Sequence, residues 1–353
     1  MPLLATDELR LKVAGQTLVG WSRVTLRLGL EVFPNEFTAG VSSRSLNGVD
    51  ILGLPGQPFE AWLGDDKVMT GYIARAFCTM GNSTEFEIVG RGKCCDLVEC
   101  SAEIPSGQVN GQSVAAIAQL LCEPYGIKVV SLGQESDVFI PQRALNYGET
   151  PYQILDWLCR IRAQLFYESA EGNLVLSPLG TVTASGGVNE GDNVEVGLQI
   201  IRAVDQRYSE VIACPTSIDQ FIEQGDAGFF VGLAKDPDIT RHRRLYIVAE
   251  EGDGGFEIVR RRALWEIARR KGRGQQIIAP LDSWRDSAGK LWTLNTLVPV
   301  TLPTAGIDRQ RLLIAGATFT QDEKGTRAVL QLMPPDAFQP EPIVSQPVVQ
   351  ELK

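Results

Sequence analysis

The sequence predicts a β-rich α+β protein with more than one domain. Period-two hydrophobic runs, separated by Gly, Asp and Asn clusters, fill the first hundred residues and return toward the end of the chain. Helical-period segments stand between these β blocks. Glycine is enriched at 35 residues and, with 19 prolines, implies many turns rather than long helices. At 353 residues, the chain also exceeds the roughly 250–300 at which a single core stops growing.

In chain order, Leu9-Arg10-Leu11-Lys12-Val13 alternates and turns at Ala14-Gly15, and Val24-Thr25-Leu26-Arg27-Leu28 alternates again. Phe59-Glu60-Ala61-Trp62-Leu63 follows Pro55-Gly56 and turns at Gly64-Asp65-Asp66. Val68 to Ala76 and Phe86-Glu87-Ile88-Val89 complete a set that predicts an antiparallel barrel or sandwich.

The period then changes. Val114, Ile117, Ala118 and Leu121 share one helical face, with Ser113 as N-cap and Pro124 and Gly126 as the stop. Ile127-Lys128-Val129-Val130 returns to strand. Thr150-Pro151 opens a second helix whose apolar face is Ile154, Leu155, Leu158 and Ile161. Leu165-Phe166-Tyr167, the turn Glu171-Gly172-Asn173, and Leu174-Val175-Leu176 complete an α+β block.

A Gly-, Thr-, Ser- and Asn-rich stretch over 180–193 reads as a linker. Strand-like runs follow at Val194-Glu195-Val196 and from Tyr208 to Ala213. Glu250 to Gly255 reads as an acidic loop, and a third helix is expected from Phe256 to Lys271. Strands are expected again at Leu297-Val298-Pro299-Val300, Arg311 to Ala315 and Ala328 to Leu332. From Met333 onward the prolines, among them Pro334, Pro335, Pro340, Pro342 and Pro347, predict an extended tail.

Charge and cysteine usage narrow the function. A net charge of −10 argues against a strong nucleic-acid binder, whose affinity comes mainly from neutralising phosphates. No stretch approaches the ~20 apolar residues of a membrane span. Met1 to Arg10 carries Asp7 and Glu8 and has no apolar h-region, so no secretory signal is read. Seven cysteines, an odd number without a C-x-x-C pair, point to reduced thiols in a protein folded in a cytosol.

No pattern assembles a catalytic, cofactor or metal site. The single histidine, His242, lies within Arg241-His242-Arg243-Arg244, where a second positive charge is disfavoured, and reads as a surface or interface residue. Gly111-Gln112-Ser113-Val114-Ala115 loosely resembles a nucleophile elbow. That motif needs a strand before the serine, whereas Pro105 to Gly111 reads as a loop and Ser113 as a cap.

Cys94-Cys95 with Cys100 lacks the second ligand pair that zinc needs; on a strand the two vicinal thiols would face opposite sides. Glu251-Gly252-Asp253-Gly254-Gly255 lacks the spaced ligands of a calcium loop. Gly90-Arg91-Gly92-Lys93 misses the phosphate-loop spacing and reads as a turn. The segment Ile258 to Lys271 carries Arg260, Arg261, Arg262, Arg269, Arg270 and Lys271, with Leu264, Ile267 and Ala268 as its apolar face. It reads as a solvated helix with cations at its C-terminal end, or as a basic docking face.

Several strings resemble the hub proteins of Mu-like phage baseplates, within the wider late control protein D family. They are Leu18-Val19-Gly20-Trp21-Ser22-Arg23-Val24, Met69-Thr70-Gly71-Tyr72-Ile73, and the run from Gly90 to Ala102. Further on come Leu121-Cys122-Glu123-Pro124-Tyr125-Gly126-Ile127, Gly148-Glu149-Thr150-Pro151-Tyr152, and Tyr208-Ser209-Glu210. Asp238-Ile239-Thr240-Arg241, Asp282-Ser283-Trp284-Arg285, and Gly289-Lys290-Leu291-Trp292-Thr293-Leu294-Asn295 complete the series. The strings run in one order across nearly the whole chain. At Phe33-Pro34-Asn35-Glu36-Phe37 the sequence departs from the pattern, which has a small residue before the second aromatic.

The resemblance implies a fold of two antiparallel β-barrel-like domains, with α+β domains between and inserted, forming a trimeric torus. The expected domains are 1–102 (first barrel), 103–184 (α+β), 185–336 (second barrel, with an α+β insertion near 238–292) and 337–353 (proline-rich tail). The implied role is the structural hub of a contractile tail baseplate, made in the bacterial host cytoplasm, adapting a six-fold tail tube to a three-fold spike. Its partners are then its own copies in a homotrimer, the tail tube protein, the central spike protein and other baseplate proteins. DNA passes through the channel at genome ejection, and an acidic lumen would keep it from sticking. No cofactor and no catalysis are expected. Two rival classes are a tail-associated cell-wall polysaccharide hydrolase, which needs a catalytic set, and a carbohydrate-binding protein, which needs tryptophans exposed in a row. Trp21, Trp62, Trp157 and Trp265 all lie in periodic segments and are expected to be packed.

Overall fold

Alternation in the first strand has a direct spatial consequence: Leu9, Leu11 and Val13 are buried, while Lys12 faces solvent. The computed structural model describes residues 7–30, 32–132, 140–162, 164–215, 231–249 and 255–338. Its first block holds β1 (Leu9–Val13), β2 (Gln16–Leu18), β3 (Arg23–Gly29), β4 (Glu36–Val41), β5 (Ser45–Leu46), β6 (Val49–Asp50), β7 (Pro58–Leu63), β8 (Asp66–Met80) and β9 (Thr84–Gly92). The middle holds α1 (Asp96–Glu99), β10 (Gln108–Gln112), α2 (Val114–Cys122), β11 (Val129–Ser131), β12 (Ile140–Ala144), α3 (Pro151–Arg162), β13 (Leu165–Glu168) and β14 (Leu174–Ser177). The remainder holds β15 (Val188–Asn189), β16 (Gln199–Arg202), β17 (Glu210–Pro215), β18 (Gly232–Lys235), β19 (Arg244–Ala249), α4 (Gly255–Arg273), β20 (Gln275–Leu281), β21 (Leu297–Leu302), β22 (Ile307–Asp322) and β23 (Gly325–Met333).

Contacts divide the chain into two units, the first comprising 1–156, 165–199 and 277–332. Within it, hydrogen bonding runs in the order β20-β23-β22-β3-β4-β9-β8-β7-β1-β2, with β21 also on β22. The two ends of the chain meet where Gly29 to Val24 pair with Gly316 to Gln321. One hydrophobic cluster draws on both blocks, including Leu26, Phe37 and Phe59 from the first and Val298, Ile314 and Phe319 from the last.

The two blocks share a pattern of strand lengths and pairing. In the first, a strand of 6 residues (β7) pairs with one of 15 (β8), which turns into one of 9 (β9). In the last, a strand of 6 (β21) pairs with one of 16 (β22), followed by one of 9 (β23). In each block an earlier strand covers the 9-residue strand: β4 on β9 and β20 on β23. The register also shifts where each short strand meets its long partner, at Ala61/Trp62 and at Val300/Leu302.

Between these blocks, β10 pairs with β12, and β11-β14-β13 form a three-stranded sheet. Ser113 caps α2 by accepting the Ala116 N–H, as expected. At α3, Thr150 and Gln153 cap reciprocally: the Thr150 N–H donates to Gln153 Oε1, and the Gln153 N–H donates to Thr150 Oγ1. Ile154, Leu155 and Leu158 of α3 are buried; the side chain of Ile161 lies outside the described residues.

The second unit comprises 157–164, 200–276 and 333–353. Its sheet order is β18-β17-β19, and its core is Val211, Ala213 and Ala234 against Val259 and Ala263 of α4. Strand and helix come this close because position 232 is glycine: a Cβ there would sit 2.2 Å from Val259 O.

Several local readings need correction. Residues 108–112 are strand, not loop, because pairing with β12 across the sequence supplies their hydrogen bonds. Val194-Glu195-Val196 forms no strand and makes a single bridge, Val194 to Leu281. Gly90-Arg91-Gly92 is the end of β9 rather than a turn. The chain does not become extended at Met333: Met333 closes β23, and Pro335–Phe338 form a 3-10 turn with Ala337 and Phe338 buried. Pro340, Pro342, Pro347 and the 250–254 part of the acidic loop lie outside the described residues.

Candidate functional site

Several residues considered for chemistry have structural tasks instead. His242 is exposed, on the second unit. Although a strand does precede Ser113, its hydroxyl is engaged as a helix cap. Among the described residues, no group of three His, Cys, Asp or Glu side chains could hold a metal ion.

Cys94 and Cys95 do not face opposite sides of a strand. They lie in the 3-10 turn Lys93–Cys95, and both are buried. Burial lifts the Cys94 thiol well above its ordinary value, and the Glu168 carboxylate adds to this. Burial pushes Cys95 to about 11 and Cys122 to about 12. Thiols held protonated in this way are poor nucleophiles and poor ligands.

The tryptophans do not form an exposed row. Trp21, Trp265, Trp284 and Trp292 are buried, and Trp62 and Trp157 are half-buried. This removes the feature that the carbohydrate-binding reading required.

Some of the strings quoted above contribute residues to two joints within the first unit. Trp284 is fully buried, donates Nε1–H to Thr320 O at 3.0 Å and meets the Phe319 ring edge-on. Arg285 reaches the first block, pairing with Asp66 at 2.7 Å and Asp7 at 3.3 Å and donating to Leu63 O. Asp286 accepts the N–H groups of Ala288, Lys290 and Gly186. Asn295, at φ 56°, accepts the Gly180 N–H and donates to Ser177 and Pro178.

At the other joint, Glu168 of β13 is buried and accepts the backbone N–H groups of Asn35 and Cys94. Gly92 leaves room for it, since a Cβ there would sit 1.9 Å from Glu168 Oε2. Phe33, Tyr152 and Phe166 pack together, with ring centroids 5.3–5.6 Å apart. Neither joint was foreseen residue by residue, because partners such as Cys94 and Glu168, or Asp7 and Arg285, lie 74 and 278 positions apart.

The arginine helix keeps the expected cations in its last turn, Arg270, Lys271 and Arg273, and Ile267 of the expected apolar face packs against the core. Leu264 is exposed, however, and Val259, Ala263 and Glu266 are the buried residues. Burial alone would raise the Glu266 carboxyl, but Arg262 and Arg270, at 2.8 and 2.6 Å, hold it below the ordinary range. That triplet has i, i+4 spacing and was legible in the sequence. The guanidiniums of Arg262 and Arg269 lie 4.6 and 4.9 Å from the Trp265 ring centroid. Beside them is a groove of about 610 Å³, also lined by Arg270, Arg273 and Asp205. Nearby, Arg207 grips Asp236 through Nε and Nη2. Across the second unit's sheet, away from α4, Leu233, Tyr246 and Val248 are exposed.

Three family descriptions match the chain in order: Mu phage baseplate assembly protein GpP-like, N-terminal, over 8–92; baseplate hub protein gp44-like, second domain, over 94–178; and Mu phage baseplate assembly protein GpP, fourth domain, over 256–341. Baseplate hub protein gp44 of Escherichia phage Mu is 30% identical over 343 residues, covering 94% of this chain and 89% of that protein. The crystal structure of the 43 kDa tail protein of prophage MuSo2 from Shewanella oneidensis superposes with a TM-score of 0.83 at 30% identity, covering 95% of this chain and 100% of the other. A tail protein from Neisseria meningitidis MC58 shares the fold with a TM-score of 0.79 at 23% identity, over 95% and 98% of the two chains.

Proposed function

The chain belongs to the family of Mu-like phage baseplate hub proteins, and from that premise we propose that three copies close into a ring adapting a six-fold tail tube to a three-fold spike. The hub role and a place in the virion tail follow from the family. The ring, its channel and its tube and spike partners are our reading.

The observation that carries this reading is the repeated strand pattern: 6, 15 and 9 residues in the first block and 6, 16 and 9 in the last. A three-copy ring offers six equivalent faces only if each copy supplies two alike units. We therefore assign 1–102 and 185–336 as two β-barrel-like units, 103–184 as the α+β domain between them, an insertion near 238–292 and a tail at 337–353. Closed cyclic symmetry avoids open filaments. A permanent interface of this kind buries on the order of 2,000–5,000 Å². The role requires no turnover, and an acidic lumen would let DNA pass without gripping it.

Mass measurement in solution together with negative-stain imaging tests the proposal. The expected result is three times the 38.6 kDa of one chain, as a ring with a central hole. A monomer at every concentration would end it. A lytic assay on peptidoglycan should show no activity.

A further inference from the structure

The last block of the chain completes a strand pairing that the first leaves open. β23 lies on one side of β22 and β3 on the other, where β3 covers Gly316–Gln321. In the first block β8 holds the place of β22. Tyr72 pairs with both Pro58 of β7 and Arg91 of β9, so these strands flank β8 on opposite sides. Pairing with β7 ends at Tyr72, whereas pairing with β9 runs on to Met80. Among the described residues, no strand covers the β7 side of Ala74–Met80.

The strand that would fit there has its equivalent elsewhere in the sheet. β3 lies beside β4, which covers the 9-residue β9; in the last block β16 lies beside β20, which covers the 9-residue β23. β3 goes on to cover β22, but β16 is an end strand, and all of Gln199–Arg202 is exposed. The Ala203 N–H donates to Gly274 O at 2.8 Å. Backbone groups alternate sides along a strand, so those of Ile200 and Arg202 point away from β20. Large apolar side chains stand exposed along both open edges: Phe77 at 43% and Met80 at 82%, Ile200 at 37% and Ile201 at 39%. Folded proteins cover or blunt such edges, because unpaired N–H and C=O groups recruit another strand.

We propose that β16 of one copy pairs antiparallel with Ala74–Met80 of β8 in a second copy, as β3 pairs with β22 inside one chain. Ile201 then stands opposite Phe77. The two edges are different surfaces, so the contact is head-to-tail and every copy carries one of each. Such contacts generate a ring when the rotation between copies closes. The inference rests on the three-copy reading above and assigns the strands that join its members.

Oxidation of the full chain carrying Phe77→Cys and Ile201→Cys tests it. Opposed residues of antiparallel strands lie about 4.5–5.5 Å apart at Cα, within disulfide reach. Non-reducing gels should show a ladder that ends at three chains, while each single variant runs as one chain. Phe77→Cys with Gln16→Cys, on the end strand β2, should stay unlinked. Solution mass is read on the same samples. A three-copy mass without linked chains overturns the strand pairing and leaves the ring standing; a monomer at every concentration overturns both. Linkage through Gln16→Cys instead of Ile201→Cys, or a ladder that runs past three chains, also overturns the proposal.

Discussion

The carboxylate of Glu168 accepts the Cys94 backbone N–H at 2.9 Å through Oε1 while its other oxygen takes the Asn35 N–H at 3.0 Å. One side chain thus ties β13 to both the start of β4 and the turn after β9. A carboxylate can accept at both oxygens, whereas a protonated carboxyl must use one as a donor.

Glu168 should make stability depend on pH. Burial lifts its carboxyl from 4.5 to about 7, against the pull of the N–H bonds from Cys94 and Asn35. The folded value lies above the unfolded one, so the folded chain holds the proton more tightly. Its contribution is fully present below about pH 4.5 and is lost as pH rises through about 7, a span of about 3 kcal/mol. Urea unfolding of wild type and Glu168→Gln at pH 5 and pH 8 measures this. The wild type should lose more stability across that range than the variant; equal losses would place the dependence elsewhere.

Gly90→Ala should destabilise the first unit by about 3 kcal/mol through overpacking. A Cβ at position 90 would lie 2.0 Å from Phe37 Cε1, and the two residues are paired across β9 and β4, so neither backbone can withdraw. Gly81→Ala is the control. Its Cβ meets only Ser83 O at 3.8 Å, and the change should stay within about 0.5 kcal/mol. Chemical denaturation of both variants separates steric cost from loss of glycine as such.

Asp236→Ala should cost the second unit about 3–5 kcal/mol, because it strips a largely buried arginine of its main partner. Arg207 is 10% and Asp236 2% exposed in their side chains, and their contact is bidentate. Arg207→Lys should recover little, since an ammonium cannot reproduce that fork. Hydrogen exchange in β17 and β19 should accelerate in both variants; unchanged exchange would show the pair to be dispensable.

Trp284→Phe should lower stability by about 2 kcal/mol, combining a lost hydrogen bond with a partly filled space. The indole is fully buried and donates to Thr320 O, so a phenyl ring leaves that oxygen without this donor. Thermal melting of the full chain checks the size of the effect. A neutral result would mean that the neighbouring side chains close over the gap.

Local order was legible in the residues. Period two located most strands of both β blocks, and the caps at Ser113 and Thr150 were readable because cap and helix are neighbours in the chain. The departures have physical causes. Cys94 and Cys95 turn inward together because the chain leaves β9 for a 3-10 turn. Leu264 is exposed because the sheet of the second unit packs on the Val259 and Ala263 face of α4, a choice the helical period leaves open.

By itself, the sequence determined the β-rich character, the positions of the caps and the family, all of which depend on neighbouring residues or on ordered strings of them. Tertiary structure alone decided that the first and last blocks share one sheet through β3 and β22, that Glu168 bridges Asn35 and Cys94, and that Arg285 reaches Asp66. Those contacts join residues scores to hundreds of positions apart. Which distant groups meet is set by the packing of whole elements, and no local pattern encodes it.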